Sequence, residues 1–375
     1  MGQGGFGKVL RCLERDMDSL VAIKIPSFEH SCREEVAMLR RLMRLKLDKH
    51  NIVKFHECFS VRNGEALVFE SLEVNLYDHL CNNDVTLDDS RTIIKQMATA
   101  LKALKNIGVI HTDIKPDNVM LVDKKLPIRA KLIDFGLAMD KSTALQGMEL
   151  QTVLYRAPEI ILGLPFSEAI DMWSVGCILF SMLFKCHLFE GEEYETLQFM
   201  IELLGQPPDE LLNNAVFKHH FFIETKSNSW RFQTREEYGV EFLPQAPMER
   251  CFSSLDDLKT IPDDIPVEVA EYEQCIELMK AMLTMDQNKR ITPNEVLQHP
   301  FITQKKSIDP VPTDQHSPPP TVFPSGLIQV RPAKPENSLQ LEEEETSTRG
   351  DGGLEVCRWG TVEASVWQRC GQMFA

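Results

Sequence analysis

The sequence lacks a net positive charge. Its 375 residues include 40 lysines and arginines against 56 aspartates and glutamates, which gives a formal net charge of −16. Proteins that bind nucleic acids without sequence preference need a basic surface, so we expect no direct contact with nucleic acid. The 43% hydrophobic content is ordinary for a globular protein and allows a sizeable core.

The sequence also lacks segments that would direct it into a membrane or out of the cell. It contains no run of about 18 apolar residues, and its longest apolar stretch, 175–184, is typical of a buried helix. No apolar region of a signal peptide follows Met1, and Phe6 stands where a myristoylation signal has serine or threonine. We therefore predict a protein that stays inside the cell and is neither secreted nor bound to a membrane.

The 10 cysteines are scattered along the chain without a CxxC pair. Closely spaced pairs are the usual ligands of structural zinc, so the sequence gives little support for a zinc site. We predict free thiols in a reducing compartment rather than disulfides.

The predicted elements change in character along the chain. Apolar runs separated by glycine turns predict strands up to about residue 70, interrupted by a helix at 31–47. Helical spacing of apolar residues then predicts helices to about residue 303, for example at 90–105 and 171–184. The pattern indicates an α+β protein with a small lobe at 1–72 and a larger, helical lobe at 73–303.

Residues 304–375 have a different composition. Eight prolines fall between Pro310 and Pro335, and an acidic run follows at 342–345. This composition predicts a disordered tail. Trp359 and Trp367 near the end leave a docking peptide open as an alternative.

A glycine-rich motif with the pattern GxGxxGxV opens the chain. Glycines in such a loop let backbone N–H groups approach phosphate oxygens. The same spacing occurs in dinucleotide-binding folds, where a helix follows; a strand pattern follows here, which favours a phosphate-covering hairpin. The candidate nucleotide-binding residues are Gly2, Gln3, Gly4, Gly5, Phe6, Gly7, Lys8 and Val9.

Lys24 lies near the end of the apolar run Val21-Ala22-Ile23-Lys24. It is either a solvated edge residue or the cation that holds the phosphates of a nucleotide. A lysine in the second role needs an anion to orient it, and Glu34 and Glu35 follow on the next helix. We predict Glu35 as the partner because it lies at the edge of that helix's inward stripe.

The stretch HTDIKPDN, residues 111–118, carries side chains suited to phosphoryl transfer. Asp113 is predicted to accept or orient the proton of an attacking hydroxyl, and Lys115 to neutralise charge on the transferred group. Asn118 and Asp134, the first residue of Asp-Phe-Gly, are predicted metal ligands. Magnesium prefers such hard oxygen ligands and keeps several waters, so two side chains suffice beside the phosphates.

Further charged residues are predicted to be structural. Glu159 closes the segment after Asp-Phe-Gly in the sequence Ala-Pro-Glu, and a buried glutamate needs a cation. Arg290 is the candidate partner. Asp171 begins the most apolar helix of the chain.

These motifs, in this order, resemble the eukaryotic protein kinase family over residues 1–303. The resemblance implies a bilobal fold with the active site in the cleft, ATP as phosphoryl donor and Mg²⁺ ions. The Asp-Ile-Lys-Pro-Asp-Asn sequence at 113–118 is similar to the form found in serine/threonine kinases.

A narrower resemblance is to the homeodomain-interacting protein kinases, which sit next to the dual-specificity tyrosine-regulated kinases. It is carried by residues 67–78, 155–174 and 283–293. By that resemblance Phe69 guards the back of the adenine pocket, Glu70 to Leu72 form the hinge that binds the base, and Ala22 is a further ATP contact.

The chain departs from the wider kinase family at its beginning and beside the catalytic loop. The front half of the first strand is missing, so we expect an incomplete N-terminal strand and a weakened grip on ATP. Thr112 stands where an arginine commonly reads a phosphate on the activation segment. We therefore do not expect control by a phosphothreonine there. The second departure is shared by the homeodomain-interacting protein kinases, so we do not take it as a loss of catalysis.

A third departure lies in the activation segment. Relatives carry an activating tyrosine where this chain has Glu149, and Val153 replaces the first of two arginine partners; Arg156 remains, after Tyr155. A phosphotyrosine carries about −1.5 to −2 charges, so one carboxylate facing one arginine is a reasonable match. We hypothesise that a Glu149–Arg156 ion pair orders the segment permanently, the alternative being an exposed Glu149 and a loose segment.

The sequence therefore predicts an ATP- and Mg²⁺-dependent protein serine/threonine kinase. Protein substrates with proline after the target, transcription factors or co-regulators as partners, and nuclear localisation are implied by the resemblance alone. The alternative is a pseudokinase or scaffold that binds partners without turnover. A dinucleotide-dependent enzyme is disfavoured because no βαβ unit follows the glycines.

Overall fold

The chain divides into two compact units. The computed structural model describes residues 3–4, 7–14, 19–26, 32–61, 64–123, 125–239, 252–259, 269–304 and 357–359. The first unit takes its residues from 1–36, 54–71 and 329–375, and the second from 37–53 and 72–328. The predicted lobe border at 72/73 therefore falls one residue after the observed division, which also assigns 37–53 to the second unit.

Short strands occur in both units. They are β1 Gln3–Gly4, β2 Gly7–Glu14, β3 Ser19–Pro26, β4 Phe55–Val61, β5 Gly64–Glu70, β6 Val74–Asn75, β7 Val109–Ile110, β8 Val119–Leu121, β9 Ala130–Leu132, β10 Met139–Asp140, β11 Phe222–Glu224, β12 Trp230–Phe232 and β13 Cys357–Trp359.

The longest helices belong to the second unit. The α-helices are α1 Arg33–Arg44, α2 Leu76–Asn82, α3 Leu87–Asn106, α4 Pro158–Ile161, α5 Ala169–Phe184, α6 Glu193–Leu204, α7 Asp209–Asn214, α8 Lys218–Phe221, α9 Arg235–Tyr238, α10 Val269–Met282, α11 Pro293–Val296 and α12 Pro300–Thr303. The 3₁₀ turns are Leu47–Lys49, Pro116–Asn118, Lys141–Thr143, Val153–Tyr155 and Asp257–Lys259.

The first unit is built on one sheet with the strand order β1-β2-β3-β5-β4. These strands pair antiparallel, and β13 lies parallel to β2. Because side chains alternate across a strand, Val21 and Ile23 of β3 point to a core shared with Ala66 and Val68 of β5. Of the predicted tail at 304–375, the structure describes Gln304 and the strand β13; the remaining tail residues lie outside the described residues.

Helix α1 is shorter than the predicted span of 31–47. It ends at Arg44, and Lys46 adopts a left-handed backbone with φ of 58°. A left-handed residue cannot continue an α-helix, which explains the earlier end. Ser31, the predicted cap, lies outside the described residues.

The second unit is organised around α3 and α5. Helix α3 carries the predicted apolar stripe of Ile93, Ile94, Met97, Leu101 and Leu104, all buried, and packs against α5 and α11. It begins at Leu87 because Thr86 and Asp89 form a reciprocal capping box. Helix α5 is buried on every side from Ile170 to Leu183, as its uniformly apolar sequence predicts.

None of the helices in the described part of the chain combines the length and the apolar character that spanning a lipid bilayer requires. Among the described cysteines, Cys81, Cys177, Cys186 and Cys275 are free thiols.

Candidate active site

The glycine-rich motif forms a hairpin of two strands. Gln3 of β1 pairs with Lys8 of β2, and Gly4 pairs with Gly7, whose φ of 135° is a conformation suited to glycine. The motif thus continues into a strand and not into a helix, which is the arrangement that distinguishes the phosphate-covering hairpin from a dinucleotide fold. Gly2, Gly5 and Phe6 lie outside the described residues.

The residues predicted to contact adenine lie on β3 and β5 and just after β5. Ala22 of β3 pairs with Phe69 of β5. The Glu70 backbone N–H donates to the Lys54 carbonyl at 3.0 Å, and the Glu70 Oε1 accepts the Lys54 N–H at 2.6 Å. Leu72, the first of these residues in the second unit, is buried. The role of each of these residues in nucleotide binding stays a prediction.

Lys24 of the first unit forms the expected ion pair with Glu35. The Lys24 Nζ lies 2.8 Å from Glu35 Oε1 and 3.0 Å from Oε2. Both side chains are largely buried, with 12% and 7% exposure. Sheet register brings Lys24 to this place opposite Val9, and Glu35 comes from the first turn of α1.

In the second unit, Asp113 is held by three neighbours. Its Oδ1 accepts the Thr152 hydroxyl at 2.8 Å, and its Oδ2 lies 2.9 Å from Lys115 Nζ. The Asn118 amide donates to the Asp113 Oδ2 at 3.0 Å and to the Asp113 carbonyl at 2.8 Å. Lys115 Nζ also donates to the Thr152 hydroxyl at 3.0 Å, so the four side chains share one network.

Asp171 anchors the loop that carries Asp113. The Asp171 carboxylate accepts the backbone N–H groups of His111 at 2.8 Å and Thr112 at 3.0 Å. Burial raises the pKa of Asp171, and the two N–H donors oppose that shift. The structural role of Asp171 is therefore to hold the catalytic loop in place.

Thr112 adopts a strained backbone. Its φ is 70°, a left-handed conformation that β-branched residues rarely adopt. Two bonds offset the strain: its N–H donates to Asp171, and its hydroxyl donates to the Leu137 carbonyl at 2.8 Å. The side chain that replaces the usual arginine thus links the catalytic loop to the start of the activation segment.

Asn118 and Asp134, the predicted metal ligands, are joined through the backbone. The Ile133 N–H donates to the Asn118 carbonyl at 2.9 Å, and Asp134 follows Ile133 with a left-handed φ of 58°. The Asp134 Oδ1 accepts the Gly136 N–H at 3.4 Å. The His111 ring completes the connection, because its Nε2 lies 2.9 Å from the Ile133 carbonyl and its ring packs edge-on to Phe135.

The hypothesis of a Glu149–Arg156 ion pair is wrong. Arg156 forms its ion pair with Glu193, the first residue of α6, and Glu149 is exposed. The guanidinium also donates to the Gln151 carbonyl from Nε at 3.2 Å and from Nη2 at 2.8 Å. The physical reason is the left-handed backbone of Gln151, with φ of 66°, which turns its carbonyl toward Arg156.

Tyr155 and Glu159, also expected in this segment, are both buried. The Tyr155 hydroxyl lies 3.1 Å from His187 Nδ1, and burial raises the pKa of Tyr155 well above its usual value. Glu159 forms the expected pair with Arg290 through two hydrogen bonds, of 2.6 and 2.8 Å. Arg290 also lies over the Trp173 ring, 5.1 Å from its centroid.

Sequence reasoning missed three residues that the structure brings into this region: Thr152, Gln151 and Glu193. Thr152 and Gln151 lie between the motifs, and a glutamine gives no sign that its backbone is left-handed. Glu193 is separated from Arg156 by 37 positions. The only sequence signal was the need of a buried Arg156 for a carboxylate partner.

Comparison with known proteins identifies the family to which this chain belongs. The family model for the protein kinase domain matches residues 1–302. The chain therefore belongs to the protein kinase domain family, and the predicted fold is confirmed. Membership implies, in general terms, the use of ATP and a divalent metal ion.

The predicted resemblance to homeodomain-interacting protein kinases is also confirmed. The chain is 40% identical over 330 residues to homeodomain-interacting protein kinase 2 of Mesocricetus auratus, covering 82% of this chain and 28% of that protein. It is 38% identical over 332 residues to homeodomain-interacting protein kinase 1 of Caenorhabditis elegans, covering 81% and 39%. It is 34% identical over 336 residues to homeodomain-interacting protein kinase 4 of Homo sapiens, covering 82% and 54%. The chain thus spans between 28% and 54% of the length of these curated relatives.

Proposed function

We propose that this chain is an active protein serine/threonine kinase that uses ATP and Mg²⁺ and favours targets followed by proline. The observation that carries the proposal is the network around Asp113, in which Thr152, Lys115 and Asn118 fix the orientation of its carboxylate. Phosphoryl transfer needs positioned charge and an aligned nucleophile more than covalent participation by the protein. This network provides both.

Each residue of the network has a definite task. Asp113 orients the hydroxyl of the target serine or threonine and accepts its proton. Lys115, 2.9 Å from Asp113 Oδ2, places a positive charge beside the reacting oxygen. Thr152 ties the activation segment to the same carboxylate, so that catalysis depends on the segment's position.

Asn118 and Asp134 fit the requirements of Mg²⁺. Both hydrogens of the Asn118 amide are directed to Asp113, which leaves its oxygen to act as a metal ligand. With the Asp134 carboxylate it supplies the hard oxygens that Mg²⁺ prefers. When bound, the ion neutralises charge on the phosphates of ATP.

Lys24 completes the assignment from the first unit. Its ammonium holds the α- and β-phosphates, and Glu35 keeps it in one orientation. The glycine-rich hairpin β1–β2 of the same unit is the second phosphate-binding element of this proposal.

The preference for proline is supported by the backbone of Gln151. Its carbonyl is taken by two donors of Arg156, so it is withdrawn as an acceptor for the N–H of a bound substrate. Gln151 precedes Thr152, which contacts Asp113, so this carbonyl lies beside the place of the target hydroxyl. A residue with an N–H there leaves that group unsatisfied at a cost of about 1–3 kcal/mol, whereas proline has no N–H.

A matched peptide pair tests this preference. A peptide with proline after the serine is expected to show a kcat/KM about 5- to 150-fold above the alanine peptide, the range that corresponds to about 1–3 kcal/mol. Equal values for the two peptides would remove the proline preference and leave the kinase activity intact.

The names of the relatives suggest the kind of partner. Those proteins are called homeodomain-interacting protein kinases, and we extend to this chain a role on transcription factors or co-regulators in the nucleus. The test is to add the purified chain and ATP to nuclear and cytosolic extracts and to identify the phosphorylated proteins. Phosphorylation confined to cytosolic proteins contradicts this part of the proposal.

The kinase activity itself is tested with a generic basic protein as substrate. The wild type is expected to transfer phosphate from ATP, and Asp113→Asn to lose about 10²- to 10⁴-fold in kcat, the range for a positioned acid or base. Asp123→Asn, with the same chemical change in an ion pair outside the network, serves as control and keeps its rate. No transfer by the wild type would support the alternative of a pseudokinase.

A further inference from the structure

We propose that the activation segment is held in its working conformation by residues of this chain, Gln151, Arg156 and Glu193, so that activity needs no phosphate on the segment. The inference rests on the proposed kinase activity and names how the same site is regulated. Three observations support it: the anchoring of Gln151, the pairing of Arg156, and the connection of both to Asp113.

Gln151 uses its whole side-chain amide to anchor the segment. The side-chain nitrogen of Gln151, Nε2, donates to the Ile170 carbonyl at 3.0 Å and to the Ser174 hydroxyl at 2.9 Å. Its Oε1 accepts the Ala157 N–H at 2.9 Å. These buried bonds offset the cost of a left-handed backbone at a residue other than glycine, and they attach the segment to the rigid helix α5.

Arg156 is a buried cation that already has its anion. The side chain is only 10% exposed, and a charge in such a place needs a partner. Glu193 provides it from the first position of α6, where a helix N-terminus stabilises a carboxylate. The turn Val153–Tyr155 lies against α6, so this pair closes the segment onto the body of the second unit.

Gln151 and Arg156 are connected to the catalytic carboxylate of Asp113 through Thr152. Thr152 lies between Gln151 and the turn at Val153–Tyr155, and its hydroxyl donates to Asp113. A phosphate that was to organise the segment through Arg156 would have to displace Glu193. Glu149, in the position where the sequence resemblance places an activating tyrosine, is exposed and does not pair with Arg156.

The first experiment uses the wild-type chain after complete dephosphorylation. The protein is treated with a broad-specificity phosphatase, separated from it, and checked by intact mass. We expect its kcat/KM on a generic basic protein to stay within about twofold of the untreated value, below the tenfold that 1.4 kcal/mol of lost stabilisation represents. We also expect a linear initial rate while mass spectrometry finds residues 139–156 unmodified.

A loss of more than about tenfold, or a lag that ends as phosphate appears on residues 139–156, would overturn the inference. The result is separable from the proposed function. An untreated chain without phosphotransfer contradicts the proposed function, whereas an active untreated chain that dephosphorylation silences contradicts only this inference.

The second experiment asks whether the charge of Glu193 positions the segment. Glu193→Gln keeps the shape and removes the charge, and Glu193→Asp keeps the charge and shortens the side chain. Loss of a hydrogen bond between charged groups predicts a fall in kcat/KM of at least about tenfold for Glu193→Gln, and Glu193→Asp is expected to retain more activity. Glu192→Gln, the same change at the exposed neighbouring residue, is the control.

A role in packing alone predicts the reverse order, with Glu193→Asp more damaged than Glu193→Gln, and would overturn the assignment of Glu193. Thermal unfolding of each variant separates loss of fold from loss of position. If Glu193→Gln does not fold, the dephosphorylated wild type still decides the inference.

Discussion

The two units hold their catalytic side chains in different ways. In the first unit, Lys24 of a strand is oriented by direct contact with Glu35 of a helix. In the second, Asp113 is held by Thr152, Lys115 and Asn118, two of which lie within five residues of it. The first arrangement depends on the position of Glu35 on α1, whereas the second joins one loop, its anchor Asp171 and Thr152 of the activation segment. This comparison suggests that the first unit is the place where activity can be adjusted, and the second the place where it is fixed.

The fixed character of the second unit depends on the buried pair of Glu159 and Arg290, whose side chains are 2% and 0% exposed. Replacing Glu159 by alanine leaves Arg290 buried without its carboxylate, and we expect the free energy of unfolding to fall by about 3–5 kcal/mol. Chemical denaturation measures this value.

A double variant sharpens that prediction. Glu159→Met with Arg290→Leu removes both charges and leaves apolar side chains, so it is expected to be less destabilised than the sum of the single variants. Additive losses would show that the two residues stabilise the unit independently, and the second unit would then not owe its rigidity to the pair.

The adjustable contact in the first unit is tested by Glu35→Gln. The change removes the carboxylate that orients Lys24, and we expect kcat/KM to fall by about 10- to 100-fold, the equivalent of a charge-assisted hydrogen bond. The midpoint of unfolding should change little. Glu34→Gln alters the exposed neighbour on the same helical turn and serves as control. If Glu35→Gln keeps its activity, Lys24 does not need this partner.

The sequence predicted those parts that depend on local pattern. The uniformly apolar α5, the stripe on α3 and the glycine hairpin follow from periodicity and turn chemistry, which act over a few residues. Glu35 was predicted as the partner of Lys24 because it lies at the edge of the inward stripe of its helix, and Arg290 as the partner of Glu159 because a buried carboxylate needs a cation. Helix α3 begins at Leu87 rather than Ser90, since the capping box at Thr86 was not recognised.

The pairing of Arg156 with Glu193 could not be predicted from the sequence, because it accompanies an unusual backbone conformation at Gln151. A left-handed glutamine is uncommon, and nothing in the sequence indicates that Gln151 adopts it. This conformation places the Gln151 carbonyl against the guanidinium of Arg156, which pairs with Glu193. The same limit applies to the contact of Thr152 with Asp113, which connects elements 39 positions apart.

Thr152 offers a smaller test of how firmly Asp113 is held. Thr152→Val removes one of three restraints on the carboxylate, and we expect kcat to fall by about tenfold, since one hydrogen bond to a charged group is lost. Thr152→Ser keeps the hydroxyl and is the matched control, with a rate near that of the wild type. A similar loss in both variants would assign the effect to the methyl group and not to the bond.

The smallest expected effect lies at Asp140, a half-buried residue of the second unit that contrasts with the buried network. Hydrogen bonds from the Ser142 hydroxyl at 2.6 Å and N–H at 2.9 Å, together with Arg41 at 2.8 Å, lower the pKa of Asp140 to about 2. Because its pKa is lowered on folding, the stabilisation is present above the usual pKa of about 3.9 and is lost as the pH falls from there through about 2.

Ser142→Ala removes the largest cause of that shift, so the pKa of Asp140 is expected to rise toward its usual value, and to rise more than in Arg41→Gln. Titration of carboxyl carbons by NMR in aspartate-labelled protein measures both. Since the side chains of Arg41 and Asp140 are 34% and 38% exposed, solvent screens their pair, and activity at neutral pH should be insensitive to Ser142→Ala. A larger rise of the Asp140 pKa in Arg41→Gln than in Ser142→Ala would mean that the ion pair, and not the hydrogen bonds of the local turn, sets this pKa. Asp140 would then depend on an opposite charge, as Lys24 does in the first unit.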